Sequence, residues 1–186
     1  LMDWGETHSN ARAFFASSAF SLFFGGALVL TNISYEPVVT KREGFLLTTL
    51  SWVLMSFFAS IPLYFSDLDI SLVDAFFETV SGITTTGSTV LSGLDQMSHG
   101  ILLWRSVVQW IGGILIIGFA IVFLPFLRIG CMQLFRTESS DASEKIMPKT
   151  AHITTSILVV YVLLTSIYGL TYKLLGMNWL DAVNHA

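Results

Sequence analysis

Residues 71–88 read SLVDAFFETVSGITTTGS, and this stretch decides the fold. Ser71 and Asp74 have the spacing of a capping box, in which a hydroxyl and a carboxylate three residues later satisfy free groups at the start of a helix. A short helix is therefore predicted over residues 72–81. It has three turns at most, so it is too short to cross a bilayer. The polar run over residues 84–88 is predicted to be extended.

Long uncharged runs lie on both sides of this stretch. Each holds the roughly 20 residues that a helix needs to cross a bilayer core of about 30 Å. Only 12% of the 186 residues are charged, against about 25% in soluble domains, and the mean hydropathy is +0.71. These values argue against a soluble enzyme and predict an all-α membrane protein. The runs cover residues 13–35, 44–66, 106–127 and 150–172.

Charge placement predicts the orientation of the chain. Two connections hold most of the basic residues, namely Lys41, Arg42, Arg128, Arg136, Lys145 and Lys149. The positive-inside rule places both connections in the cytoplasm. Residues 67–100 contain five acids and no Lys or Arg, so they are predicted to lie outside. The segment between the second and third runs must then enter the membrane and return on the same face.

The polar run offers oxygen ligands without net charge. Its members are Thr84, Thr85, Thr86, Gly87 and Ser88. Backbone carbonyls can replace the hydration shell of an alkali cation and still release it, and Gly87 can adopt a positive φ. The carboxyl end of the short helix favours a cation, and Asp74 and Glu78 are expected to raise the cation concentration at the outer mouth. Taken alone, TTTG is more often an ordinary Thr-rich turn.

An internal repeat predicts more than one such loop. A shift of 107 residues places Asp74 on Asp181 and Ala75 on Ala182, and Asn178 repeats the cap position. The fourth run therefore begins a second unit, and a second re-entrant helix is expected near the end of the chain. A carbonyl ring around one axis needs about four loops, so further loops are expected after Ala186.

The predicted organisation has four parts. They are an extra N-terminal transmembrane helix with a cytoplasmic connection (1–43), a complete helix, pore loop, helix repeat (44–130), a cytoplasmic connection (131–149) and the start of a second repeat, cut at its pore helix (150–186). Arg105, near the outer end of the third run, is expected to pair with Asp95 or with Glu78. Gly112, Gly113 and Gly118 indicate close helix packing.

Residues 74–87 resemble the first pore helix and filter of the Trk/Ktr/HKT superfamily of potassium transporters. Residues 104–113 resemble the helix that follows, and residues 132–138 resemble the cytoplasmic connection of the Trk system membrane subunit (TrkH/TrkG type). The resemblance implies a potassium-channel-like fold of four helix, pore loop, helix units with an extra N-terminal helix. It also implies filter ligands, which would be the carbonyls of Thr85 and Thr86, supported by Thr84, Gly87 and Ser88.

The same resemblance implies a function and partners. The chain would take part in K⁺ uptake across the cell inner (cytoplasmic) membrane, as a homodimer with a cytoplasmic nucleotide-binding regulatory subunit of the TrkA type. Membrane lipid surrounds it, and the net charge of -4 argues against nucleic acid as a partner. No catalytic residue and no cofactor are assigned, and K⁺ is the transported ion. The alternative is a secondary transporter that couples K⁺ to H⁺ or Na⁺, although direct repeats favour a ring around one axis.

Overall fold

The computed structural model describes residues 8–33, 41–123 and 146–186. These residues form six α-helices and one short 3₁₀ helix, with no strand among them. The α-helices are α1 (His8–Asn32), α2 (Lys41–Tyr64), α3 (Leu72–Ile83), α4 (His99–Phe123), α5 (Ile146–Leu174) and α6 (Trp179–His185), and the 3₁₀ helix is Leu94–Gln96. The predicted all-α class is confirmed. Arg128, Arg136, Lys145 and most of the predicted connection 131–149 lie outside the described residues.

Within the described residues, four helices are long and apolar enough to cross a membrane. They are Asn10–Asn32, Arg42–Tyr64, His99–Phe119 and Thr155–Leu174. Each corresponds to one of the four predicted runs. The third helix begins at His99, seven residues before the run predicted at 106, because the scan for uncharged residues stopped at Arg105. That charge lies inside the helix, where a carboxylate neutralises it, as described below.

The chain divides into two compact units, Leu1–Trp110 and Ile111–Ala186. In the first unit, a small core of Leu63, Ala75 and Ile101 joins α2, α3 and α4. In the second unit, α6 packs on α5, and Ala182 is completely buried. Large apolar side chains along the long helices are mostly exposed. Exposed apolar surface of this extent marks a membrane-facing protein.

The short helix α3 packs deep between its two neighbours in the first unit. Thr79 Oγ1 donates to the carbonyl oxygen of Ser56 (2.9 Å), which lies eight residues, or about 12 Å, before the end of α2. A Cβ on Gly82 would stand 3.2 Å from Cγ1 of Val108, which lies about 14 Å along α4 from its first residue. The chain then returns to the start of α4. This path supports the predicted re-entrant segment.

Asn10 ties the start of α1 to the same face as both ends of that segment. Its Oδ1 accepts from the backbone N–H of Asp67 (2.9 Å), and its Nδ2 donates to Ser98 Oγ (3.4 Å). The side chain is only 2% exposed. The amino end of α1 therefore lies on the side that the charge pattern predicts to be outside. If α1 crosses the membrane, its opposite end lies on the face that the charge pattern predicts for the basic start of α2 at Arg42.

The two short helices begin at equivalent points of the repeat. The residues before them, Ser71 and Asn178, are 107 positions apart and have nearly the same backbone angles (φ -69, ψ 158 and φ -60, ψ 153). Ser71 forms the predicted cap, since its Oγ accepts from the Asp74 N–H (3.1 Å) and donates to Asp74 Oδ2 (2.7 Å). Asn178 makes no side-chain cap bond. These are ordinary angles for a helix cap, so a short helix begins at the equivalent position of each unit, but the second cap lacks the side-chain bond of the first.

Gly113 is a point of close approach within the second unit. A Cβ there would stand 2.5 Å from the hydroxyl oxygen of Tyr161, whereas a Cβ on Gly118 would meet no heavy atom of the described residues within 4 Å. The glycine-packing prediction therefore holds at Gly113 and not at Gly118.

We expect Gly113→Ala to destabilise the protein by about 1–3 kcal/mol, because overpacking a filled contact forces a shift. Removing the hydroxyl in the double variant Gly113→Ala/Tyr161→Phe should recover most of this loss, since the next ring atom lies 3.4 Å away. Thermal unfolding in detergent measures the stability of both variants. The single variant Tyr161→Phe is measured as well, which completes the double-mutant cycle. Gly118→Ala is the control and should be neutral or slightly stabilising. A double variant as unstable as Gly113→Ala would contradict the contact.

Candidate functional site

The helix α3 continues two residues beyond its predicted end. It ends at Ile83 instead of Ser81, and Thr84 is the C-cap, with φ -81 and ψ 2. Gly82, one residue beyond the predicted end, therefore lies inside the helix. Its missing Cβ allows the last turn to lie against Val108 of α4.

Two residues of the polar run have left-handed backbone. Gly87 has φ +76, as its residue type predicts, and Thr85 has φ +57. A β-branched residue with positive φ is an outlier, and such strain costs about 1–3 kcal/mol, so it persists only where the surroundings impose it. Sequence reasoning missed the conformation of Thr85, because nothing about a threonine predicts it. Strained backbone of this kind is common at functional sites.

The strain has a local cause, because the amides of the run turn back onto α3. Thr84 N–H donates to the carbonyl of Val80, Thr85 N–H to that of Gly82, Thr86 N–H to that of Ser81 (2.9 Å each), and Gly87 N–H also to that of Ser81 (3.4 Å). These bonds satisfy carbonyls that a helix end would otherwise leave unpaired. Among the described residues, no donor reaches the carbonyl oxygens of the run from Thr84 to Gly87. Those oxygens remain available to a ligand.

Ser81 also holds the far end of the run. Its Oγ donates to the carbonyl oxygen of Ser88 (2.6 Å). The carbonyl of Ser88 thus differs from the four before it, because one of its two acceptor positions is already used. The sequence prediction treated Ser81 only as the end of a helix. Its hydroxyl lies seven residues from its partner, a spacing that no local motif indicates.

We expect Ser81→Ala to loosen the loop while leaving α3 in place. The variant keeps the Ser81 carbonyl, which accepts the amides of Thr86 and Gly87, and removes only the hydroxyl bond to Ser88. Loss of one hydrogen bond of this kind costs about 0.5–1.5 kcal/mol. Amide hydrogen exchange should therefore rise over residues 86–89 but not over 72–80. Equal protection of residues 86–89 in Ser81→Ala and the wild type would contradict this role.

Two of the three threonine hydroxyls of the run, those of Thr84 and Thr86, are also ordered. Thr84 Oγ1 donates to the carbonyl of Val80 (2.7 Å), so the 2.9 Å contact between Thr84 Oγ1 and Thr86 Oγ1 has Thr86 as the donor. Both side chains are exposed on the surface of the chain. Their protons point into the protein or at each other, so their oxygen lone pairs face outward. This arrangement is compatible with a cation and unfavourable for an anion.

Glu78 is not the free acid expected at the outer mouth. The side chain is 2% exposed, and its Oε1 accepts from Nε of Arg105 (2.8 Å) and also pairs with Nη2. Arg105 thus pairs with Glu78, one of the two partners that the sequence allowed, and the side chain of the other, Asp95, lies outside the described residues. The other carboxylate oxygen, Oε2, accepts from Thr89 Oγ1 (3.0 Å) and the Val90 N–H (3.1 Å). The expectation that Glu78 concentrates cations is wrong, because its charge is balanced inside the protein.

A comparison with known families gives this geometry a context. The family model TrkH, described as cation transport protein, matches residues 10–184. The chain belongs to the TrkH family. The family assignment confirms the resemblance found in the sequence, and together with the four apolar helices it makes the chain part of a multi-pass membrane protein. The description of the family is that of a transport protein.

Individual relatives agree with the TrkH-family assignment. The chain is 48% identical over 168 residues to the Trk system potassium uptake protein TrkI of Halomonas elongata, and 38% identical over 178 residues to TrkH of Escherichia coli K12. These matches cover 86% and 94% of the chain but only 34% and 37% of the relatives.

A solved structure, that of the potassium transporter TrkH from Vibrio parahaemolyticus, matches 99% of the chain with a TM-score of 0.83 at 31% identity, and the chain covers 36% of it. The chain thus spans about a third of the length of these TrkH-family proteins, and the similar structure confirms the predicted fold class.

Proposed function

We propose that this chain supplies the first pore loop of a potassium-uptake subunit of the Trk type. In this proposal, K⁺ crosses the cell inner membrane through a filter of backbone carbonyls, and no bond is made or broken. One observation carries the proposal. The amides from Thr84 to Gly87 are all bonded to the last turn of α3, while the carbonyls of the same residues have no donor among the described residues. The relatives' names, which state potassium uptake, support the choice of ion.

The proposed ligands are the carbonyls of Thr85 and Thr86, with Thr84, Gly87 and Ser88 in support. Carbonyl dipoles attract an alkali cation strongly enough to replace water and weakly enough to release it. The carboxyl end of α3 points at the loop and adds a partial negative charge. A neutral ligand set suits conduction, because a free carboxylate at the same place would hold the ion more tightly. Glu78 is consistent with this requirement, since Arg105 balances its charge.

The proposed organisation follows the four predicted parts. Residues 1–43 form an extra transmembrane helix and its connection, residues 44–130 the first complete repeat, residues 131–149 a cytoplasmic connection, and residues 150–186 the start of a second repeat. About four such loops would surround one axis. Transport would therefore belong to the assembled protein, with homodimers and a nucleotide-binding subunit of the TrkA type as proposed partners.

The function is tested in cells that lack their own potassium uptake. The complete gene that encodes this chain should restore growth at low K⁺. It should also produce Rb⁺ uptake that excess K⁺ suppresses. Membrane-inserted protein without Rb⁺ uptake would contradict the proposal. Collapsing the H⁺ or Na⁺ gradient at constant membrane potential separates the two mechanisms. If K⁺ passes through a filter, uptake should continue after the gradient has collapsed. If uptake stops, the result favours the coupled transporter.

A further inference from the structure

We propose that Glu78 and Arg105 act as a clamp that positions the outer half of the loop, and that the ion preference of the pore depends on this clamp. The clamp consists of Glu78 on α3, Arg105 on α4 and residues 89–91 after the loop. The inference rests on the proposed function, because it concerns the geometry of the same carbonyls. It assigns Glu78 and Arg105 as positioning residues, which act on the ion only through the backbone.

The carboxylate of Glu78 divides its two oxygens between two partners. Oε1 faces α4 and receives both contacts from Arg105, through Nε (2.8 Å) and Nη2. Oε2 faces the loop and accepts from Thr89 Oγ1 and the Val90 N–H. All four acceptor positions of the carboxylate are thereby used. One buried side chain thus connects the loop to two helices.

A third donor extends the clamp by one more residue. The N–H of Leu91 donates to Thr89 Oγ1 (3.1 Å), which in turn donates to Glu78. Three consecutive residues after the loop are therefore fixed, directly or through one hydroxyl, by a single carboxylate. Leu91 is also buried, at 9% exposure. Hydrogen bonds therefore fix the backbone that leaves the loop as well as the backbone that enters it.

The clamp and Ser81 fix the two ends of the carbonyl run on one rigid element. Ser81 and Glu78 are three residues apart on α3, so their side chains lie on the same face of the helix. Ser81 holds the amides of Thr86 and Gly87 and the carbonyl of Ser88, and Glu78 holds the next residues. The carbonyls between these anchors can move only as far as the anchors allow. Their spacing, which sets the fit to an ion, then depends on Glu78.

The clamp requires a carboxylate and not only a polar side chain. Every group that contacts Glu78 is a donor, namely the guanidinium of Arg105, the hydroxyl of Thr89 and the amide of Val90. A glutamine would direct its NH₂ group at one of these donors, so it could serve α4 or the loop but not both. Bonds to a charged acceptor are also about twice as strong as neutral ones. A simple ion pair between two helices would need none of the loop contacts.

The test uses the full-length transporter and measures the ratio of Rb⁺ uptake to Na⁺ uptake. This ratio does not depend on how much protein reaches the membrane. Thr89→Val removes one hydroxyl from the clamp and leaves Glu78 and Arg105 intact. We expect it to lower the ratio severalfold, and Glu78→Gln to lower it by roughly tenfold, the equivalent of one ordinary hydrogen bond. Thr171→Val is the matched control, because that exposed hydroxyl bonds only to its own helix.

A double variant separates the clamp from a merely structural ion pair. Replacing a buried ion pair by hydrophobic residues of similar volume is often harmless to stability, so Glu78→Leu/Arg105→Met should restore the amount of protein in the membrane while the loop loses its acceptor. The clamp predicts that the ion ratio stays low, whereas a structural pair predicts that the ratio recovers as well. A wild-type ratio in Thr89→Val, or a recovered ratio in the double variant, would overturn the clamp. Absence of Rb⁺ uptake in the wild type would instead overturn the proposed function.

Discussion

Gly87→Ser is expected to lower Rb⁺ uptake by about tenfold and to reduce the preference for K⁺ over Na⁺. Gly87 has φ +76, a conformation that costs an ordinary L-residue about 1–2 kcal/mol. In the part of the chain that the structure describes, a Cβ at this position would meet no heavy atom within 4 Å, so the added side chain itself fits. The backbone is instead expected to relax, and rotation of the peptide before or after Gly87 turns a carbonyl away from the ion. The effect should therefore fall on transport and not on folding.

Two further variants make this result specific. Gly118→Ser adds the same side chain to a helical glycine that also has open space, and its uptake should stay near the wild-type value. Gly87→Asn should recover part of the loss, because asparagine tolerates the left-handed region better than serine. The measurement is Rb⁺ and Na⁺ uptake at equal amounts of membrane protein. Unchanged uptake and an unchanged ion ratio in Gly87→Ser would contradict the proposal that this loop forms part of the filter.

The crossing helices could be predicted from the sequence because lipid imposes a simple rule on them. A helix that spans the bilayer must be apolar along about 20 residues, and each predicted run corresponds to a described helix. The rule fails where a charge is neutralised by tertiary structure. Arg105 ended the third run in the sequence, yet in the structure it lies inside α4, paired with Glu78. The partner stands 27 residues earlier, beyond the reach of any local pattern.

The short helix was predictable for a different reason. Its start depends on a cap between Ser71 and Asp74, which is a contact between near neighbours and follows from spacing alone. Its end depends on Gly82 packing against Val108, a tertiary contact, and the predicted end was two residues early. Local chemistry therefore determines where α3 begins, and packing determines where it ends.

The site was predictable in composition but not in geometry. The sequence identifies Thr84 to Ser88 as uncharged oxygen ligands and Gly87 as a residue suited to positive φ. It does not indicate that Thr85 is left-handed, because this conformation follows from amides bonding back to Ser81 and Gly82. It also gives Glu78 the opposite role, as a free acid at the mouth. Both features come from hydrogen bonds between residues that the loop brings together only after folding.

Ala75→Leu is expected to lower both the amount of folded protein in the membrane and its unfolding temperature. Ala75 lies on α3 with no exposed surface, in the core that also contains Leu63 and Ile101. Adding three carbon atoms to a filled position costs about 1–3 kcal/mol or more. Val73→Leu on the same helix is the control, because Val73 is 76% exposed. The measurements are the amount of protein in the membrane and its thermal unfolding in detergent.

The same change in the second unit tests whether the repeat is structural. Ala182 is the partner of Ala75 under the 107-residue shift, and it too has no exposed surface. Ala182→Leu should therefore lower the unfolding temperature, whereas Val183→Leu, at a half-exposed neighbouring position, should not. Equal behaviour of Ala182→Leu and Val183→Leu would mean that the short helix α6 does not pack on α5 as α3 packs on α2. If stability is lost at the two alanine positions and not at the two valine positions, both units bury the same face of the short helix.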